Sequence, residues 1–357
     1  MQITLNKIQT PTWQRLKVNE TYIEAAMQTG EFKGDINIYG AGGVLVGKNP
    51  SIPDIQGLSP DKLEMLEYVL GHKNSALSLT IPSGVKLHEP VYADFLLNGE
   101  SGNLVNFIHI KAEAGSRADV IINYKSTGDT GHFHAAFVYI EALENSEIKV
   151  VKTQFLGDKD IHADVTQTHA LAGAHTQVLA FELGGRQVVS GCNTVLSGKE
   201  SRGDFAGLYI GSGKKVQDFN YRMEMAGECS QGDITVRGAL AGQARKTLKS
   251  TLDFVKGSYG SKAKEEEAVT ALSDTAVNLS LPLLLCGEDN VQGEHATTTG
   301  RLDGEKLFYV MSRGLSMEEA KLLLLEASFA PIIGKLPSEG LRGNIISAVK
   351  EVMKNDG

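Results

Sequence analysis

The residues best suited to chemistry lie close together late in the chain. From Leu283 to Leu315 the sequence reads LLLCGEDNVQGEHATTTGRLDGEKLFYVMSRGL, which brings Cys286, Glu288, Asp289, Glu294 and His295 near one another. A thiolate and an imidazole both suit iron or a nascent iron–sulfur cluster, and a carboxylate adds a hard oxygen ligand. Spacing alone leaves a structural role open for each. The segment His132-Phe133-His134 would place two imidazoles on one face of a strand, with His162, His169 and His175 as further candidates. No carboxylate or thiol stands at a fixed spacing from them, so hydrogen-bonded or exposed histidines are expected there.

Other chemistries find less support. The run Gly211-Ser212-Gly213-Lys214-Lys215 resembles a phosphate loop superficially, but Leu208 stands where the first glycine belongs and Lys215 where a magnesium-binding hydroxyl belongs. A turn with a basic tip is expected. There is no GxSxG elbow, and Cys192 reads as a small buried residue in a strand. The three cysteines, Cys192, Cys229 and Cys286, are far apart and form no CxxC, which argues against disulfides and zinc ribbons. A formal net charge of -8 disfavours nucleic acid as a partner. No apolar run approaches the roughly 18 residues of a spanning helix. The first residues, MQITLNKIQTPTWQRL, lack the pattern of a secretory leader. No membrane association is expected, and the reading is cytoplasmic.

Three regions must position these residues. Residues 1–75 read as mixed and helical: Glu20–Gln28 suits a short helix, Gly40–Pro60 a loop, and Ser59-Pro60 the start of a helix with Leu63, Leu66, Val69 and Leu70 on one face. Residues 76–310 change to a period of two, with Ser75–Ile81, Asp119–Tyr124, Phe137–Ile140, Glu147–Val151, Gln177–Leu183 and Asp233–Leu240 as short strands between glycine-rich turns. Lys262–Leu272 is the one helix candidate within them. Such a mainly β body can be a sandwich, a barrel or a stacked solenoid, and no clean short repeat decides the matter. Residues 311–357 are helical again. Ser316 and Glu319 form a capping box, Ala320, Leu323, Leu324, Ala327 and Phe329 supply an apolar face, and Pro331 and Gly334 end the helix. A second helix carries Leu341, Ile345, Ile346, Val349, Val352 and Met353. These helices can cap the β-body or offer a partner a groove.

The late segment also carries a family resemblance. Leu272-Ser273-Asp274, the strand led by Pro282, His295-Ala296-Thr297, Gly300-Arg301-Leu302-Asp303, Leu307-Phe308-Tyr309, Ser312-Arg313-Gly314-Leu315 and Glu318-Glu319-Ala320 together resemble the SufB/SufD family of iron–sulfur cluster assembly scaffolds. The likeness is strongest over about 240–330 and extends weakly back to Leu79-Thr80-Ile81-Pro82 and Gly84-Val85. It implies a right-handed parallel β-helix (β-solenoid) core with helical N- and C-terminal regions. It implies pairing with a SufB-like subunit, or an identical one, through the β-helix, and docking of a SufC-type ATPase through the C-terminal helices. SufB-like chains carry a cysteine in the strand before the one led by Pro282. That position falls near Ala276 here, so the chain looks SufD-like, with His295 as the matching ligand.

On this reading the chain is a non-catalytic scaffold. His295 would hold iron or a transient cluster at a subunit interface, with Cys286 and Glu294 as further ligands. Phe308, Tyr309, Arg313 and Gly314 would serve the ATPase-docking surface, core packing being the bland alternative for Phe308. A polysaccharide-modifying β-helix enzyme is the competing class, and a single Trp and 6% aromatic residues weigh against its long aromatic groove. A purely structural interaction module is the third.

Overall fold

The computed structural model describes residues 2–8, 14–26, 30–99, 102–128 and 131–355. The first strands, β1 (Gln2–Leu5) and β2 (Thr21–Glu24), pair antiparallel. β3 (Asp35–Tyr39) and β4 (Leu45–Lys48) precede helix α1 (Pro60–His72). Then come β5 (Ser75–Ile81), β6 (Val91–Leu97), β7 (Leu104–Ala112), β8 (Arg117–Ser126), β9 (Phe133–Ala142), β10 (Glu147–Phe155), β11 (Ile161–Ala170) and β12 (His175–Glu182). They continue as β13 (Gln187–Leu196), β14 (Arg202–Gly211), β15 (Val216–Met225), β16 (Gln231–Leu240), β17 (Arg245–Phe254), β18 (Lys262–Ala271), β19 (Val277–Cys286) and β20 (Gln292–Gly300). Helices α2 (Gly304–Ser312), α3 (Met317–Ile333) and α4 (Glu339–Asn355) complete the order.

From β5 onward the strands alternate between two nine-stranded sheets. Odd-numbered strands stack parallel in one sheet, which begins with the antiparallel β4. Even-numbered strands stack parallel in the other, which begins with the antiparallel β3. The result is a β-solenoid of about eight turns. Inward positions form columns from coil to coil, such as Val120, Val150, Val178, Phe205 and Ile234. Stacking like on like buries one apolar column per inward position, which is what a coil needs because it has no core of its own.

Both outer faces are covered as well. Ile3, Leu5, Ile23, Met65, Leu66, Tyr68 and Val69 pack on Val105, Phe107, Phe133, Phe137 and Tyr139 of the odd-strand sheet. Lys249 fixes the first strand there, donating to the Asn6 carbonyl and to Asp218 Oδ1, each at 2.9 Å. On the other flank, Leu325, Phe329, Ile332, Ile333, Leu341, Ile345 and Val349 of α3 and α4 pack on Ile121, Val151, Leu179, Leu208 and Ile210 of the even-strand sheet. Strands buried on both faces lose the alternation of a half-exposed strand. That is why β9, FHAAFVYIEA, shows little of it.

The repeat invisible in the sequence sits at one corner. Gly115, Asn145, Gly173, Glu200, Cys229 and Gly260 all have positive φ, from 55° to 75°. Each donates its backbone N–H to a carbonyl of the following coil, those of Glu144, Ala172, Lys199, Glu228, Tyr259 and Asn290, at 2.8–3.0 Å. The next residue, Ser116, Ser146, Ala174, Ser201, Ser230 or Ser261, is buried in every case. A left-handed conformation costs a residue with a Cβ about 1–2 kcal/mol. Glu200→Gly is therefore expected to raise stability by about 1 kcal/mol in urea unfolding; an unchanged or lower midpoint would contradict this account of the corner.

Several expectations are corrected. Thr21–Glu24 is a strand rather than the start of a helix over Glu20–Gln28, and Met27 and Gln28 lie outside the described residues. The segment read as loop, Gly40–Pro60, contains β4. Lys262–Leu272 is not helical: Glu265 and Glu267 turn into the solenoid while Glu266 stays outside, so three consecutive glutamates fit strand β18. Helix α2 occupies part of the stretch read as strands. The capping box at Ser316 and Glu319 forms, but Pro331 lies inside α3, which runs on to Ile333. The buried face of α3 is Ala320, Leu325, Phe329 and Ile332, while Leu323 and Ala327 are exposed. The helices α3 and α4 lie along a flank of the solenoid and do not cap its end.

Candidate functional site

The last coil is where the predicted ligands gather. β19 and β20 are the edge strands of the two sheets, so each offers one unpaired side. The Asn278 side-chain amide donates to Thr299 Oγ1 across the gap at 2.9 Å. Leu284 lies against Gly293, where a Cβ would come within 2.7 Å of Leu284 Cδ1. These two contacts place Pro282 opposite His295. His295 continues the inward column of Ile234 and Glu265. Glu294, its neighbour, is on the outward face. Cys286 ends β19 beyond Leu284, facing the chain near Val291, which is four residues and roughly 13 Å along the strand from His295. Among the described residues no three His, Cys, Asp or Glu side chains are placed to hold one metal ion. Within a single chain, then, Cys286, Glu294 and His295 are not brought together. Ala276, taken as the position of a family cysteine in a strand, lies in the turn before β19.

Beneath this coil the interior becomes ionic, which sequence reading missed. Lys246 of β17 is fully buried and donates to Glu267 of β18, to the Leu279 carbonyl at 3.3 Å and to Ser280 Oγ at 3.1 Å. Burial pushes its ammonium pKa down, and Glu267 opposes the shift. Glu265 is 1% exposed, and neither carboxylate oxygen has a well-aligned hydrogen bond, the Ser250 hydroxyl being its neighbouring donor. Burial raises its pKa to about 7, with the nearby Ser250 hydroxyl opposing. The signal was available: two glutamates at i and i+2 in a strand share a face, and the apolar alternation of β16 continues onto that face.

A second polar nest lies deeper. His134 and His162 are register partners on β9 and β11, 28 residues apart. Asn106 Oδ1 accepts from His134 Nε2 at 3.1 Å, so His134 Nδ1 is left to accept from His162 Nδ1 at 2.8 Å. Asn106 in turn donates to the Tyr124 hydroxyl at 3.0 Å. Burial pushes both imidazoles below their ordinary pKa. Beside them Lys152 pairs with Asp164 and donates to Thr166 Oγ1 at 2.6 Å. Cys192 faces the same interior, where burial lifts its thiol to about 11 and keeps it neutral. His132 is hydrogen-bonded to Asp160 and His175 to Asp204. The expectation of hydrogen-bonded histidines therefore holds for these residues. The glycine-lysine run at 211–215 is a turn between β14 and β15, as expected.

The surface named for a partner is free of the core. Helix α2 has no buried residue, and Phe308 and Tyr309 are 75% and 59% exposed. Arg313 lies over the Tyr309 ring, 5.2 Å from its centroid, and donates to its hydroxyl at 3.2 Å. Gly314, at φ 101°, turns the chain toward the Ser316 cap of α3. Core packing, the bland alternative for Phe308, is not what the structure shows.

Comparison with known proteins finds similarity over most of the chain. A family model described as SUF system FeS cluster assembly, SufBD core domain, matches residues 95–328. The chain is 27% identical over 287 residues to the iron-sulfur cluster assembly protein SufD of Bacillus subtilis, covering 79% of this chain and 65% of that protein. It is 24% identical over 268 residues to an iron-sulfur cluster assembly SufBD family protein of Synechocystis sp., covering 72% and 56%. For a SufBD family protein of Porphyra purpurea the figures are 22% over 256 residues, covering 69% and 52%. The chain thus spans between about half and two thirds of the length of these relatives.

Proposed function

Because this chain belongs to the SufBD family of the SUF system for iron–sulfur cluster assembly, we propose that it is a non-catalytic, SufD-like scaffold subunit of the cytoplasm. It holds iron or a nascent cluster transiently at the open end of the solenoid, with His295 as a ligand and Cys286 and Glu294 as further donors. A SufB-like subunit, or a second copy, pairs there. Edge strands recruit a strand from another chain because their backbone groups lack partners, and β19 and β20 are both edges. A second chain also answers the separation of Cys286 from His295, since ligands from two subunits can complete one site.

The docking half of the proposal rests on α2. A helix with no buried residue, carrying two exposed aromatic rings and an arginine, has the composition of interface anchors. A SufC-type ATPase bound there would supply the energy that this chain's imperfect phosphate loop cannot. Co-purification tests the reading: the full chain captures a SufC-type ATPase, and Phe308→Ala with Tyr309→Ala weakens capture about tenfold or more, at roughly 2 kcal/mol for an anchor. An intact chain that captures no such ATPase would overturn the docking proposal.

A further inference from the structure

The inward column that runs through Phe205, Ile234 and Glu265 ends at His295, because β20 is the edge of its sheet. The imidazole is exposed and the carboxylate directly beneath it is buried. The groups around that carboxylate do not neutralise it. Ile234 lies below it, Leu248 and Ser250 belong to the facing strand, and Glu267 is on its own strand. Lys246 is committed to Glu267, the Leu279 carbonyl and Ser280. When all three groups are ionised, two carboxylates share one ammonium. A buried carboxylate whose neighbouring donor is a single neutral hydroxyl, that of Ser250, is costly to ionise, and a cation bound beside it would offset that cost.

The position of His295 says what can arrive. Adjacent strands lie about 4.8 Å apart, and side chains in register on one face point the same way. Imidazole and carboxylate ligands each stand about 2.1 Å from a first-row ion, so one ion fits between such a pair with little adjustment. Imidazole nitrogen and carboxylate oxygen together suit iron and its divalent neighbours. We infer that Glu265 and His295 form a two-residue seat for a divalent first-row transition-metal ion at the open end of the solenoid. Water or a second chain fills the remaining positions. This rests on the cargo role proposed above and adds to it a buried residue that the surface ligands do not include.

Titration of the full chain with Co(II) alone, under anaerobic conditions, tests the seat through the visible absorption of the bound ion. The chain binds Co(II), and either Glu265→Gln or His295→Ala weakens binding about tenfold or more. Glu266→Gln, which alters the same strand on its outer face beside Arg237, leaves binding unchanged. His295 is exposed, so its variant tests the seat even if a change at Glu265 disturbs the coil; thermal unfolding followed by circular dichroism identifies that case. An intact chain that binds no Co(II), a folded Glu265→Gln variant that binds as tightly as the parent, or a His295→Ala variant that does so, would each overturn the inference. ATPase capture is measured without added metal, so the docking proposal can fail while the seat stands; Co(II) binding that is lost in His295→Ala but kept in a folded Glu265→Gln variant overturns the seat and leaves the cargo role of His295 standing.

Discussion

Lys152→Met is expected to destabilise the chain by about 3–5 kcal/mol, the cost of leaving a buried charge without its partner. The lysine is inside the solenoid, paired with Asp164 and hydrogen-bonded to Thr166. Asp164 Oδ2 already lacks a partner, so the carboxylate has no second donor to fall back on. Urea unfolding measures the loss. The double replacement Lys152→Met with Asp164→Leu should recover most of it, because two apolar groups of similar bulk cost far less than one unpaired ion. If the single variant unfolds at the parent's midpoint, the pair contributes nothing and this account of the interior fails.

Phe329→Ala carries an expected local cost of similar size, about 3–5 kcal/mol for a fully buried ring. The consequence differs because Phe329 belongs to the helical layer and not to the coils. It packs with Leu325, Ile332 and Ile345 against Leu179, Leu208 and Ile210 on the flank. In a repeat architecture stability is a sum of neighbour terms, so damage to an attached layer need not spread along the rod. Backbone amides of α3 and α4 should exchange with deuterium about a hundredfold faster or more, while those of β9 to β13 keep their protection. Uniform acceleration through the solenoid would show that flank and coils unfold as one unit.

The capping box at Ser316 and Glu319 was legible because capping is a local bargain between two side chains and two backbone groups. Ser75–Ile81 was legible because that strand keeps its alternation. The terminal helix was legible in Leu341, Ile345 and Val349, one turn apart and all buried. The phase of α3 was not, since four consecutive leucines fit more than one face, and only the flank selects Leu325. The coil repeat was hidden because its corner requires a conformation and not a residue type. Gly, Asn, Glu and Cys all adopt it, at intervals that vary.

The candidate site was half legible. Ligand type alone singled out Cys286, Glu294 and His295, and the aromatic pair Phe308 and Tyr309 was visible in the sequence although the helix that carries it was not. Lys246 meets Glu267, and Lys152 meets Asp164, across the interior between the two sheets, whereas His134 and His162 meet through coil stacking, and nothing local joins any of them. Glu265 and His295 are 30 residues apart in sequence and neighbours in register. Once the corner positions are aligned, such pairs can be read from the sequence, because the intervals between corners give the offset from one coil to the next.

The corner ladder has one more consequence. Each of its N–H groups reaches only the coil that follows, so the ladder itself sets no limit on the number of coils, and only the flanking layers, which span several of them, tie one stretch of the rod to another. Whole coils are therefore a unit in which such a chain can lengthen or shorten during evolution, provided that both cuts fall at equivalent corners. The two terminal surfaces would then be carried apart or together like the ends of a telescoping spacer, each keeping its own chemistry.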